Sequence, residues 1–321
     1  MSQFIFSERE GYEEGFSEIY DRELVPILRE METARRKGIH RSRVWIAILA
    51  IVSAYLAWQG FKLHPVLPLF PVLAGAGGVL FVCLSRHDKL HDELNSIVRP
   101  VVCRFFEGTT YTEAPLKDAF PVDHLRSLNL IPVCDHNYVG PSVEGNWRNT
   151  DYRMTKASFY NERRDSDGDR RSTRLFSGVI LEIECYADMP TIVFLPDFGP
   201  TLNKVFAWAT QTNRPDQKLH FPIDAVEEVF EVYTDDLQRA QELITPEFGL
   251  KLLEFSREYQ TSSQHIAAAF KGKKFYLAIR LNHDFMNFDV FGAPLCEANG
   301  KIHEALADMV IPRKVIDDLL D

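Results

Sequence analysis

The sequence predicts an α+β protein. A transmembrane helical hairpin with amphipathic flanking helices comes first, then a cytosolic domain of mainly antiparallel sheet plus helices. Three observations carry that expectation. Val44 to Ser85 contains one charged side chain, Lys62, and no acid. On both sides of that stretch apolar residues recur at helical spacing. From about residue 107 the period shortens, and strand-forming runs alternate with turn residues.

The hairpin is read from residues 44–61 and 67–84, each an uncharged run of 18 residues. At helical rise each run is ~27 Å long, close to the ~30 Å of a hydrocarbon core. Lys62 to Val66 is too short a link for anything but antiparallel neighbours. The run begins too far into the chain, behind a long charged segment, to be a cleaved signal peptide. Arg35, Arg36, Lys37, Arg41 and Arg43 precede the first run, and Arg86 and Lys89 follow the second. The link offers only Lys62, so the positive-inside rule places both termini in the cytoplasm. The expected location is the inner (cytoplasmic) membrane of a bacterium, spanned twice. Trp45 and Trp58 mark the two ends of the first run. Ala47, Ala50, Ala54 and Ala57, with Ala74, Gly75, Gly77 and Gly78 opposite, are expected to pack the two helices together. A dimer contact is the alternative, so a homo-oligomer stays open. Neither run holds Asp, Glu, His, Lys or Arg, which argues against a channel or pump built from these helices.

Tyr12, Phe16, Ile19, Leu24, Ile27, Leu28 and Met31 predict an amphipathic cytosolic helix within 1–43. Leu90, Leu94, Ile97, Val98, Val101 and Phe105 predict a stalk helix within 85–106, packed on the first. Pro26 and Pro100 are expected to bend or interrupt them.

Residues 107–321 form the expected cytosolic domain. Strands are predicted over Tyr152–Tyr160, Leu175–Tyr186, Thr191–Leu195 and Val226–Tyr233. Asp235 with Gln238, and Thr245 with Pro246, start two helices. Phe248, Leu252, Phe255 and Tyr259 give the second one a core face. Ile266–Phe270 and Phe275–Leu281 predict a hairpin turning at Lys271-Gly272-Lys273-Lys274. Lys301 to Leu320 is expected to be helical on both sides of Pro312. Long helices do not alternate with the strands, which disfavours a doubly wound parallel sheet.

Net charge is −10, and residues 86–321 carry 27 basic against 37 acidic groups. A domain of that sign repels phosphate backbones, so no nucleic-acid partner is expected. Cys83, Cys103, Cys134, Cys185 and Cys296 are odd in number and widely spaced, as free thiols in a reducing compartment are.

Several groupings resemble chemistry and fail in detail. His87, Asp88, His91 and Asp92 suggest a metal site, since histidines four apart share a helix face, but Asp88 stands where a zincin needs Glu and no third ligand follows. Asp165, Asp167 and Asp169 imitate a calcium loop, yet Gly168 is misplaced and Phe176 occupies the position of the closing Glu. Arg163, Arg164, Arg170, Arg171 and Arg174 flank those acids, and a lipid-surface contact through them is one alternative. Cys134, Asp135 and His136 are adjacent, and neighbours in a strand point to opposite faces. His283 beside Asp284 is no stronger. G-x-S-x-G, phosphate loops and dinucleotide fingerprints are absent. No catalytic, cofactor-binding or metal residue is assigned, and no cofactor.

Phe230 to Phe248, Leu175-Phe-Ser-Gly178 and Ala267-Ala-Ala-Phe-Lys-Gly272 resemble the signature of a bacterial family, domain of unknown function 3137. The resemblance implies bacterial origin and membrane association, and no activity. Members are sometimes encoded beside LemA-type membrane proteins, which makes such a protein one expected partner besides the bilayer. The expected role is a membrane-anchored cytosolic binding or scaffold module. The alternatives are an enzyme, such as a hydrolase, acting on a membrane-proximal substrate, and a lipid-surface sensor.

Overall fold

The structure, a computed structural model, describes residues 4–61, 77–78, 91–113, 120–164, 170–196, 215–259, 266–288 and 294–320. Of the second apolar run only Gly77 and Gly78 fall among them. The chain divides into two units. One is Met1–Phe105 with Met286–Ala307, the other Phe106–Phe285 with Asp308–Asp321.

In the first unit, α1 (Phe16–Ile19) passes through a wide π turn, Tyr20–Leu24, into α2 (Val25–Phe61). At 37 residues α2 is about 55 Å long, so the amphipathic segment and the first apolar run are one rod. Pro26 does not interrupt it. The π turn just before it widens the spacing at which the proline ring would meet the preceding carbonyl. Phe16, Tyr20, Leu24, Leu28 and Met31 bury one stripe. Tyr20 escaped the periodic reading, and its hydroxyl donates to Asn299 Oδ1 at 3.0 Å. A third helix, α3 (residues 91–105), runs through Pro100 and buries Leu94, Val98, Val101 and Val102. It meets the N-terminal segment where Phe105 lies edge-on to Phe16, ring centroids 5.1 Å apart. Met286–Ala307 completes this core. Phe288 N–H donates to Asn95 Oδ1 at 3.1 Å, and His303 Nδ1 lies 2.6 Å from the buried Glu13 carboxylate.

Beyond Met31 the helix leaves that core. Val44, Trp45, Ile48, Ile51, Val52, Tyr55, Leu56 and Trp58 are exposed, Ile51 to 69%. Among the described residues α2 belongs to the one helix long and apolar enough to cross a membrane, and its apolar window is 0% buried. Ala47, Ala50 and Ala54 are exposed as well. The half-covered face is Ile46, Leu49, Ser53 and Ala57, and a Cβ on Gly78 would sit 3.9 Å from Leu49 Cδ1. Of the expected alanine face, only Ala57 is on the covered side.

Among the described residues the second unit is a seven-stranded sheet in which every pairing is antiparallel. Its strands are β1 (Thr109–Thr112), β2 (His136–Trp147), β3 (Thr150–Arg164), β4 (Arg170–Pro196), β5 (Gln217–Leu219), β6 (Phe230–Thr234) and β7 (Ala267–Arg280). The order is β1-β2-β3-β4-β6-β5, with β7 on β4. The α+β expectation holds, with two corrections inside it. Leu175–Tyr186 and Thr191–Leu195 are parts of one 27-residue strand. The expected hairpin at Lys271–Lys274 is instead the bend of one continuous strand. Gly272 at φ +59° supplies the bend, and the β4–β7 register shifts opposite it, between Glu184 and Ile192. Between the Glu184–Lys274 and Ile192–Phe270 pairs β4 advances eight residues while β7 advances four, so the regular ladder breaks and β7 changes phase at the bend. Phe270 and Phe275, of opposite parity, therefore share a face, ring centroids 4.6 Å apart.

Helix α7 (Pro246–Glu258) covers that face, its Phe248 against Phe194, Phe270 and Phe275 at 5.4–6.2 Å. Thr245 caps α7 as expected, accepting from Phe248 N–H at 3.1 Å. The preceding helix, α6 (Leu237–Leu243), is capped one residue later than read. Asp236 accepts from Arg239 N–H, while Asp235 accepts from Thr191 N–H. The first half of the predicted 226–233 strand is a short helix, α5 (Asp224–Glu227), so β6 begins at Phe230. On the opposite face α4 (Val122–Ser127) and the turn after it bury Leu125, Leu128, Leu130 and Ile131 against Phe159, Phe176, Ile180 and Tyr276. The last helix, α8 (Asn299–Val315), continues through Pro312 into a π-helical turn, Ile316–Leu320.

Candidate functional site

The face that α4 covers runs out into charge. Arg153 on β3 lies in register with Glu144 on β2 and with Glu182 on β4, and Lys274 on β7 lies in register with Glu184. Arg153 Nε donates to Glu144 Oε1 at 2.7 Å, and Lys274 Nζ to Glu182 Oε1 at 2.6 Å. The result is a ladder of alternating sign across four strands, as cross-strand pairing favours. It floors a cleft of about 370 Å³ whose rim adds Asp151 and Tyr152. Four carboxylates face two cations there, so the cleft is net acidic. Tyr152 Oη shares a hydrogen bond with Thr109 Oγ1 at 3.2 Å. A Cβ on Gly145 would lie 2.5 Å from that hydroxyl, so a larger residue there would displace the Tyr152 ring.

The ladder reaches into the core behind it. Burial, and then the Glu182 charge, push the Tyr276 phenol up to about 12. His124, edge-on to Tyr276 at 5.3 Å, is pushed down by burial first and by Lys271 next. The site therefore offers a rigid row of carboxylate acceptors beside a neutral imidazole. Such a row can accept hydrogen bonds from polar or cationic groups. No sequence motif marked it, because its members come from four strands and each alone is an ordinary surface charge.

The sequence-level candidates fall elsewhere. Cys134 and His136 are not brought together. Arg126 Nη2 donates to Cys134 Sγ at 3.3 Å, His136 lies 3.5 Å from Glu162, and Asp135 accepts from Glu162 N–H. His283 pairs with Asp308 rather than with its neighbour Asp284. Nε2 lies 2.9 Å from the buried Asp308 carboxylate, and Asp284 goes to Lys156 at 3.2 Å. His91 Nε2 is 2.6 Å from Asn287 Oδ1, whereas His87 and Asp88 lie outside the described residues. Among the described residues no group of three His, Cys, Asp or Glu could hold a metal. Asp165, Asp167 and Asp169 also lie outside them. Arg163 and Arg164 stand in register with Arg171 and Arg170, and Arg174 lies over the Tyr160 ring at 5.8 Å.

Residues 174–320 match the family model of a protein of unknown function, DUF3137. This part of the chain is similar to a DUF3137 domain. The match begins inside β4 and takes in β5–β7 and α5–α8. It contains the signature stretches at Leu175–Gly178, Phe230–Phe248 and Ala267–Gly272, while the apolar runs lie before it. Of the ladder, Glu182, Glu184 and Lys274 lie within the DUF3137 match and Glu144 and Arg153 before it. No curated protein and no solved structure matches the chain.

Proposed function

We propose that the chain is a two-pass protein of a bacterial inner membrane, both termini in the cytoplasm, whose DUF3137 domain is a binding platform for a membrane-protein partner. No residue in the apolar window of α2 is buried, which supports the anchor. The observation that carries the platform is the outer edge of β7. Among the described residues β7 pairs only with β4, which leaves one side of a 14-residue strand unpaired by any strand. Such an edge takes up an extended segment by backbone hydrogen bonding. Lys271 and Lys273 are exposed at its bend, the placement that protects an edge from indiscriminate pairing.

The experiment places a photo-crosslinking residue at Lys271 or Lys273, with Glu254 on the exposed side of α7 as control, in the native membrane. A discrete partner captured from the β7 positions and not from Glu254 is expected, and a LemA-type protein is the first candidate. Equal capture from all three, or none, overturns the platform. A reporter fused after Asp321 should behave as cytoplasmic, and export would overturn the orientation.

A further inference from the structure

The five basic residues before the apolar run separate into two groups. Glu32, buried in the first unit, takes Arg35 and Arg36, each at 2.7 Å. Lys37, Arg41 and Arg43 are exposed and enter no ion pair or hydrogen bond among the described residues. They sit on α2 within about 9 Å of axis, and Val44, where the apolar run begins, follows at once. From Thr33 to Phe61 the helix carries no acid, so nothing on it offsets them, in a chain whose net charge is −10. Unpaired cations at the foot of an uncovered apolar rod are complementary to one surface, a leaflet bearing phosphate headgroups of net negative charge.

We propose that Lys37, Arg41 and Arg43 form a collar that selects anionic phospholipid headgroups where α2 enters the membrane, while Glu32 already neutralises Arg35 and Arg36. This rests on the reading of α2 as a span. Trp45, 49% exposed and two residues beyond Arg43, reports on the lipids at the collar.

The test uses full-length protein with Trp58→Phe, Trp147→Phe and Trp208→Phe, which leaves Trp45 as its one tryptophan, reconstituted into phosphatidylcholine vesicles. These contain an equal fraction of dibrominated phosphatidylglycerol or dibrominated phosphatidylcholine, and the readout is quenching of Trp45. The expected result is a preference of about fivefold for the anionic quencher, falling to parity in the triple variant Lys37→Gln/Arg41→Gln/Arg43→Gln. Equal quenching by both lipids in the parent protein overturns the collar and leaves the span standing. A preference that survives the triple substitution overturns the assignment to these residues. Absence of quenching by either lipid overturns the span, and the collar with it.

Discussion

The Glu32 carboxylate accepts the backbone N–H of Leu295 at 3.2 Å, across 263 residues of chain. The same carboxylate takes Arg35 and Arg36, so one buried acid joins the foot of α2 to the 286–307 segment of its unit.

Burial alone would push the Glu32 carboxyl up. Hydrogen bonds from Arg35, Arg36 and Leu295 N–H outweigh it and hold the group at about 2, against 4.5 ordinarily. A depressed carboxyl stabilises the fold above its unfolded value, and that stability is lost as pH falls from about 4.5 toward 2. The linkage amounts to at most about 3 kcal/mol. Glu32→Gln should lower the melting temperature at pH 7 and flatten the loss between pH 4.5 and 2, read by thermal unfolding in detergent at each pH.

Gly178, in the signature Leu175-Phe-Ser-Gly178, faces the backbone of β7. A Cβ there would lie 2.0 Å from Ile279 O and 2.8 Å from Arg280 Cα. Backbone cannot swing aside as a side chain can, so Gly178→Ala should cost about 3 kcal/mol or more and loosen β7 from β4. Hydrogen exchange of the β7 amides checks this. Protection unchanged from wild type would contradict the close approach.

Glu182 is 18% exposed and Lys274 42%. Their pair should contribute only about 0.5–1 kcal/mol, measured as the coupling energy of a Glu182→Gln/Lys274→Met double-mutant cycle. The coupling should shrink in high salt. A value of several kcal/mol would mean that the cleft is far less solvated than its shape implies.

Burial pushes the Cys103 thiol up to about 12 and the Cys185 thiol up to about 11. Only the thiolate alkylates, so at pH 8 both should react with iodoacetamide far more slowly than in urea. Peptide mass spectrometry after timed labelling reads the ratio.

Much of this was legible in one dimension. Period and charge located the apolar run, the amphipathic stripe of Phe16, Leu24, Leu28 and Met31, and the Thr245–Pro246 helix start, because each is set by residues within a turn or two of one another. Strand alternation was legible only where it stays in phase. At Gly272 the positive-φ bend reverses the phase, and a charged bend then has the composition of a hairpin turn. The Asp235 cap missed by one residue because two adjacent aspartates are equally good caps, and Thr191, on a neighbouring strand, claims the first.

The order of residues along the chain was enough to establish an α+β protein with a long apolar helix near its N-terminus and an acidic remainder, since composition and periodicity are local properties. Folding in three dimensions decided the rest. It determined that β4 is one strand with β7 beside it, that His283 meets Asp308, and that Glu32 separates Arg35 and Arg36 from Lys37, Arg41 and Arg43. Each of those depends on which distant segments come within a few ångströms, and cross-strand register and long-range hydrogen bonds leave no periodic trace in the sequence.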